Sequence, residues 1–154
     1  MQSSGQRIEI SVAEQKLRLL DGEGVVAEYS VSTSRFGTGT EEGSNRTPTG
    51  AFEISQKLGD GAEPRTIFES RKPVGTWNTG EVTGKDLILT RILWLHGLDP
   101  ANANTRDRYI YIHGTNQEDR IGAPASEGCI RMRNADVADL FDRVEERTPV
   151  SIIA

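Results

Sequence analysis

A mainly β fold with a single helix is predicted by three features of this 154-residue sequence. Short apolar runs alternate with polar residues at period two, the pattern of half-buried strands. Sixteen glycines break those runs into segments joined by turns. Only one stretch, near the C-terminal end, carries a sustained 3.6-residue apolar period. The length suits one domain over residues 1–154.

Taken in order, "RIEISV" (Arg7 to Val12) puts Ile8, Ile10 and Val12 on one face of a strand. "KLRLLDGEGVVAEYSVS" reads as a hairpin: Leu17 and Leu19 enter the turn at Asp21-Gly22, and Val25, Val26, Tyr29 and Val31 leave it. "RFGTGTEEGSNRTPTG", Arg35 to Gly50, is a long turn-rich loop, after which "AFEIS" resumes as a strand. "DLILTRILWLHG", Asp86 to Gly97, has the leucines of a helix, but its Thr, Ile and Trp content favours a strand. "RYIYIHG", Arg108 to Gly114, sets Ile110 and Ile112 against Tyr109, Tyr111 and His113, so His113 ends a strand on the face away from the isoleucines. "NADVADLFDRVEER" is the helix, with Asn134 as N-cap, Asp136 in the first turn, and Val137, Leu140, Phe141 and Val144 along one face. "PVSII" closes the chain as a strand.

Composition excludes several functions. A net charge of -5 argues against binding a nucleic acid backbone, which takes clustered Lys and Arg. "GTGTEEG" from Gly37 lacks dinucleotide spacing and feeds a strand instead of a helix. "GEVTGKD" from Gly80 has three residues between its glycines where a phosphate loop has four, and Asp86 stands where Ser or Thr would hold magnesium. One cysteine makes no internal disulfide, and two histidines show no zinc-site spacing, so neither metal nor cofactor is expected. The start "MQSSGQRIEISV" has no apolar leader core, and no run approaches a membrane span. If Met1 is the native start, a cytoplasmic location is expected, with the periplasm as the alternative.

The chemistry gathers in "YIHGTNQEDRIGAPASEGCIRMRN", Tyr111 to Asn134. A lone cysteine is commonly a small buried hydrophobe. Cys129, however, follows Ser126, Glu127 and Gly128 and precedes Arg131, polar surroundings with a cation nearby. A thiol becomes a nucleophile when an imidazole, a cation or backbone N–H groups favour its thiolate. His113 and Arg131 supply the first two. Gly128 allows a sharp turn that presents its own N–H and that of Cys129 to a developing oxyanion. No third acid is evident, and Gly114 leaves room for a backbone carbonyl to orient the imidazole. His96 is either a structural histidine or, with Trp94 and Asn116, part of a substrate cleft.

"IHGTN" (Ile112 to Asn116) followed by "ASEGCIRMRNADVADLF" (Ala125 to Phe141) resembles the catalytic signature of the L,D-transpeptidase (YkuD) family. "TPTG", Thr47 to Gly50, and the "QKLRLLDGEGVVAEYSVS" hairpin match that family's front half, so the likeness runs from Ile8 to Ile153. It implies a small β-sandwich with the nucleophile in a groove under a flap. It also implies attack on the bond between diaminopimelate and D-alanine in peptidoglycan stem peptides or muropeptides, and covalent inhibition by carbapenems. Cys129 would be the nucleophile, His113 the base, and Gly114 the holder of the imidazole. Gly128 and Ser126 would shape the oxyanion loop, and Arg131 would meet substrate carboxylates. The family motif has histidine where this chain has Glu127, an acid that would oppose thiolate formation or bind the substrate ammonium. The start of the chain favours an L,D-carboxypeptidase that hydrolyses the thioester, over a periplasmic cross-linking or lipoprotein-anchoring transpeptidase. An inactive peptide-binding module and a structural domain with a buried thiol are the other readings.

Overall fold

The alternating apolar residues of the sequence meet in one interior. The computed structural model describes residues 5–78 and 86–154; residues 80–85 of the glycine stretch weighed above as a phosphate loop lie outside them, as does Met1. Strand β1 (Gln6–Ser11) buries Ile8 and Ile10, and β2 (Lys16–Asp21) buries Leu17 and Leu19 against them. β3 (Gly24–Ser32) completes the hairpin, burying Tyr29 and Val31, while Val25 and Val26 stand exposed near the turn, beyond the core's edge. After the loop of residues 35–49, β4 (Gly50–Leu58) contributes Phe52 and Ile54.

The next two strands have no signal in the sequence. β5 (Thr66–Glu69) and β6 (Lys72–Thr76) form a short hairpin, and β6 is exposed throughout, so no alternation marks it. β7 (Ile88–Gly97) is the long strand expected over 86–97, and the reason it is not a helix is visible in its pairing. It bonds to β4 over 92–97, to β5 at 88–89 and to β8 (Tyr111–Gly114), so it is buried on both faces. β8 is shorter than the strand expected over 108–114: Tyr109 has φ +59°, which breaks extended backbone, and residues 103–109 form turns. Ile110 and Ile112 still face the main core.

β9 (Ile130–Met132), read from sequence as part of the cysteine loop, runs parallel to β8 and antiparallel to β3. Helix α1 (Asn134–Arg143) lays Val137, Leu140 and Phe141 on the core, with Val144 just beyond its end. Asn134 is its first residue and not the N-cap, which is Arg133. The Glu118 carboxylate instead takes the Asn134 N–H at 2.7 Å. β10 (Pro149–Ile153) inserts between β1, to which it is parallel, and β4. Because β4 also pairs with β7, hydrogen bonding runs unbroken around eight strands in the order β4-β10-β1-β2-β3-β9-β8-β7, and β5-β6 projects from β7. No helix among the described residues is long and apolar enough to cross a membrane.

Candidate active site

β8 and β9 lie side by side, Ile112 opposite Ile130 and His113 opposite Arg131. Ile112, Ile130 and Met132 face the main core. Side chains alternate, so Tyr111, His113, Cys129 and Arg131 share the other face. There a second cluster forms, with Phe68, Ile92, Trp94 and Tyr111 at its centre and Cys129 against its edge. The β5-β6 hairpin covers this cluster, in the position the resemblance assigns to a flap. Arg71, in its turn, bonds the Tyr111 hydroxyl at 3.1 Å and lies 5.0 Å from the centres of the Trp94 and Tyr109 rings.

His113 is buried, and its Nδ1 lies 2.5 Å from the Gly114 carbonyl oxygen. A carbonyl can only accept, so Nδ1 carries the proton and Nε2 of the neutral ring is free to act as a base. Gly114 must be glycine for this geometry: a Cβ there would collide with Asn134 Oδ1 and lie 2.7 Å from the Leu89 carbonyl. Burial, followed by the charge of Arg131, lowers the imidazole's proton affinity; Asp86 and the Gly114 carbonyl oppose this. The acid sought near the histidine is therefore Asp86, acting through space and not by contact.

Cys129 is half-buried. Its sulfur accepts the Tyr111 N–H at 3.3 Å and its S–H points to the Tyr109 carbonyl at 3.4 Å. The thiol and the imidazole thus share a face without being bonded to one another. Burial pushes the thiol up to about 11, with Asp86 adding to the rise. The Tyr111 N–H, Arg108 and Arg131 pull the other way and do not prevail. This corrects the expectation that Arg131 and His113 would favour a thiolate: desolvation at the edge of an aromatic cluster outweighs them. Glu127 is not the opposing acid, for its side chain is exposed and paired with Arg35 at 3.3 Å.

The loop before Cys129 is held from three sides. Buried Ser126 donates its hydroxyl to the Cys129 carbonyl at 2.6 Å and accepts the Gly128 N–H at 3.3 Å. The Gly128 N–H is accordingly engaged and not open to an oxyanion, contrary to the sequence expectation. Thr47, fully buried at the head of "TPTG", donates to the Gly128 carbonyl at 3.0 Å and accepts the Ser34 N–H at 3.0 Å. Gly128 itself sits at φ +123°. In a planar trans peptide the carbonyl and the following N–H point opposite ways. Pinning the Gly128 carbonyl on Thr47 therefore turns the Cys129 N–H away from the 34–47 loop, which makes it the backbone donor best placed for an oxyanion.

The remaining expected residues divide. Arg131 is wholly buried, paired with Asp86 at 3.0 Å and bonded to Gln117 at 2.8 Å. Asn116 accepts the Leu87 N–H at 2.9 Å, tying the start of β7 to the end of β8. Trp94 is buried under the thiol's cluster, with the Arg106 guanidinium 3.9 Å from its ring centre. His96 lies two residues farther along β7, opposite Glu53 in β4. Two cavities meet at Glu127. One, of about 550 Å³, is lined by Arg35, Asp86, Gln117, Arg120 and Arg131 among others. The second, of about 290 Å³, is lined by Asn45, Arg108, Tyr109 and Ile110 among others.

The family model for the L,D-transpeptidase catalytic domain, YkuD, matches residues 5–152. The chain belongs to the L,D-transpeptidase family. The YkuD protein of Bacillus licheniformis, named for this family, is 29% identical over 146 residues, 95% of this chain and 64% of that protein. The ErfK/SrfK protein of Salmonella typhimurium, likewise named for it, is 52% identical over 46 residues, 30% of this chain and 15% of that protein. The chain thus spans less than two thirds of the length of these relatives. Among solved structures, the L,D-transpeptidase of Xylanimonas cellulosilytica superposes with TM-score 0.64 at 21% identity, over 99% of this chain and 62% of that one. LdtMt1 in complex with imipenem does so with TM-score 0.61 at 17% identity, over 98% and 60%. The fold of this L,D-transpeptidase domain is therefore that of its structural neighbours.

Sequence reasoning about the domain missed Thr47 as an individual, Asp86, and the Arg35 partner of Glu127. "TPTG" was a visible signal for the first. Asp86 stands at the head of the strand expected over 86–97, where nothing in the sequence points it toward His113, and nothing joins Arg35 to a loop 92 positions on.

Proposed function

We propose that this domain cleaves peptidoglycan stem tetrapeptides through a thioester on Cys129. One observation carries the reading: the imidazole of His113, its Nδ1 locked on the Gly114 carbonyl, faces the side of the sheet that also holds the Cys129 thiol. The step requires rotation about the Cα–Cβ bond of Cys129 that carries the sulfur from the Tyr109 carbonyl to Nε2. His113 takes the thiol proton as sulfur bonds to the carbonyl carbon of the third stem residue, diaminopimelate. The Cys129 N–H meets the oxyanion, the bond to the D-alanine nitrogen breaks, and His113 returns the proton to that nitrogen. The high proton affinity of the thiol and the low one of the imidazole fit a neutral resting pair, with transfer occurring during attack.

An amine from a second stem then gives a cross-link, and water gives a tripeptide. Two cavities on either side of Glu127 leave room for a donor and an acceptor, which favours transfer. Such transfer would act on the wall outside the cytoplasm. The preference for hydrolysis rested on where the chain begins, which carries no weight in a chain shorter than its relatives. Hydrolysis is the second reading, as the fate of a thioester that meets no amine.

The test is to supply tetrapeptide with and without an amine acceptor and to identify products by mass, with Cys129→Ala as control. Release of D-alanine together with acceptor adducts is expected; tripeptide alone under both conditions selects hydrolysis. One neighbour was solved in complex with imipenem, so intact mass after carbapenem exposure gives a second readout. No D-alanine and no carbapenem adduct would leave the inactive peptide-binding module and the structural domain with a buried thiol.

A further inference from the structure

Cys129 rests between two backbone groups: the Tyr111 N–H donates to its sulfur at 3.3 Å, and its S–H donates to the Tyr109 carbonyl at 3.4 Å. The side chains of those same two tyrosines are held by one residue. Arg71 donates to the Tyr111 hydroxyl at 3.1 Å, and its guanidinium lies 5.0 Å from the centre of the Tyr109 ring. It lies equally close, 5.0 Å, to the centre of the Trp94 ring, which packs against Tyr109 and Tyr111 with ring centres 5.9 Å and 5.6 Å away. A single guanidinium on the β5-β6 hairpin thus grips, through side chains, the two residues whose main chain holds the thiol.

The backbone on both sides of this contact is held away from its ordinary conformations. Ser70 and Arg71 form the two-residue turn of the hairpin, since Glu69 pairs with Lys72. Their φ values are +49° and +68°, at positions that ordinarily go to asparagine or glycine. Tyr109 stands at φ +59° although its ring is 53% exposed and has little of the core to brace it. Left-handed backbone at a bulky residue persists only where its surroundings enforce it, and such positions gather where function is controlled. The side-chain restraint on Tyr109 comes from Trp94 and from Arg71. Of these, Arg71 rides on an element that is loosely joined to the sheet, for β5 pairs with β7 at two positions alone, Ile67 with Leu89 and Phe68 with Ile88.

We propose that Arg71 is a positioning residue for the thiol: seated on the three rings, it holds Tyr109 in its left-handed conformation and so keeps the Cys129 S–H on the Tyr109 carbonyl, away from His113. When the hairpin lifts, Arg71 withdraws, Tyr109 relaxes to extended backbone, and its carbonyl turns off the sulfur. The thiol is then free for the rotation that brings it to the imidazole. That last step alone rests on the acyl-enzyme reading above; the latch belongs to the resting domain.

The chain has one cysteine, so the S–H stretching band in the infrared reports this thiol and no other. In Arg71→Ala the band is expected to leave its wild-type position, and alkylation by iodoacetamide at pH 7 to become about 10-fold faster, the factor that loss of one hydrogen bond permits. Adding Tyr109→Asn should return the band, because asparagine takes left-handed backbone by itself and needs no grip. Tyr111→Phe, which removes only the hydroxyl and keeps the ring, should move the band the same way by a smaller amount. A band that stays in place in Arg71→Ala overturns the proposal even if alkylation quickens, since the hairpin would then be a cover and nothing more. A band that moves but is not returned by Tyr109→Asn overturns it too, because the coupling would not run through that backbone. Should Arg71→Ala lack a cooperative urea transition, Tyr111→Phe decides, and an unmoved band in it overturns the latch. None of these measurements uses a substrate, so a failed latch leaves the acyl-enzyme reading standing, and absent turnover leaves the latch standing.

Discussion

At the scale of single residues, the site is set by how burial divides a proton between sulfur and nitrogen. The thiol is pushed up to about 11 and the imidazole down from 6.5, so at neutral pH neither is charged. Two pH profiles follow. Alkylation of Cys129 by iodoacetamide should be slow at pH 7 and still climbing at pH 10, with its midpoint near about 11. A rate already level by pH 8 would show a thiolate that the structure does not hold. For turnover, the base must be unprotonated, and a lowered affinity means that it loses its proton earlier as pH rises. The acid limb of kcat/KM should therefore have its midpoint below pH 6.5. Thr47 makes a third prediction at this scale. Thr47→Val keeps the shape but frees the Gly128 carbonyl, so carbapenem acylation should slow by about 100-fold, the scale of a misplaced reacting group. Thr47→Ser keeps the hydroxyl and should recover most of that rate.

Among the elements, the junction of α1 with β7 and β8 controls where His113 ends up. Asn134 accepts the Thr90 hydroxyl at 2.7 Å and donates to the Thr115 carbonyl at 2.8 Å and to Glu118 at 3.0 Å. Replacing it by alanine leaves the Thr115 carbonyl without its donor, and Asn134→Ala should cost about 1–3 kcal/mol, read as a lowered urea midpoint. A change within a few tenths would mean that water replaces the side chain. This junction also shows what was legible in advance. The face of α1 was readable because Val137, Leu140, Phe141 and Val144 repeat at helical spacing. The role of Asn134 was not, because an asparagine before an apolar run has the look of an N-cap and its partners come from two distant segments, Thr90 in β7 and Thr115 and Glu118 after β8. β8 was readable from Ile110 and Ile112, but its start was misplaced because the turn at Tyr109 has no glycine to mark it. β6 was invisible, since a strand exposed along its whole length carries no alternation. His113 and Cys129 stand close in sequence, and the parallel pairing of β8 with β9 sets both on one face of the sheet without a bond between them. The charge state of the thiol was not readable, because it depends on Phe68, Trp94 and Tyr111, which arrive from three different strands.

For the whole molecule, the unbroken circuit of eight strands depends on β10, the only described link between β1 and β4. Val150 and Ile152 sit in the main core beside Ile8, Ile10 and Phe52. A chain ending at Thr148 should lose cooperative unfolding altogether and not merely some stability, because it opens the circuit and uncovers two strand edges at once. Circular dichroism during a denaturant titration checks this; a sharp transition in the shortened chain would mean that the remaining strands close by themselves. Ile152→Ala in the complete chain should cost about 2–5 kcal/mol, as much as a substitution in a central strand. The parallel pairing of β1 with β10 reaches further, into synthesis. The first strand of this domain to leave the ribosome has to wait, unpaired along one edge, until nearly the last residues of the domain emerge. During that interval the nascent chain exposes Ile8 and Ile10 to whatever it meets, so this fold calls for a chaperone's protection in proportion to how slowly it is translated.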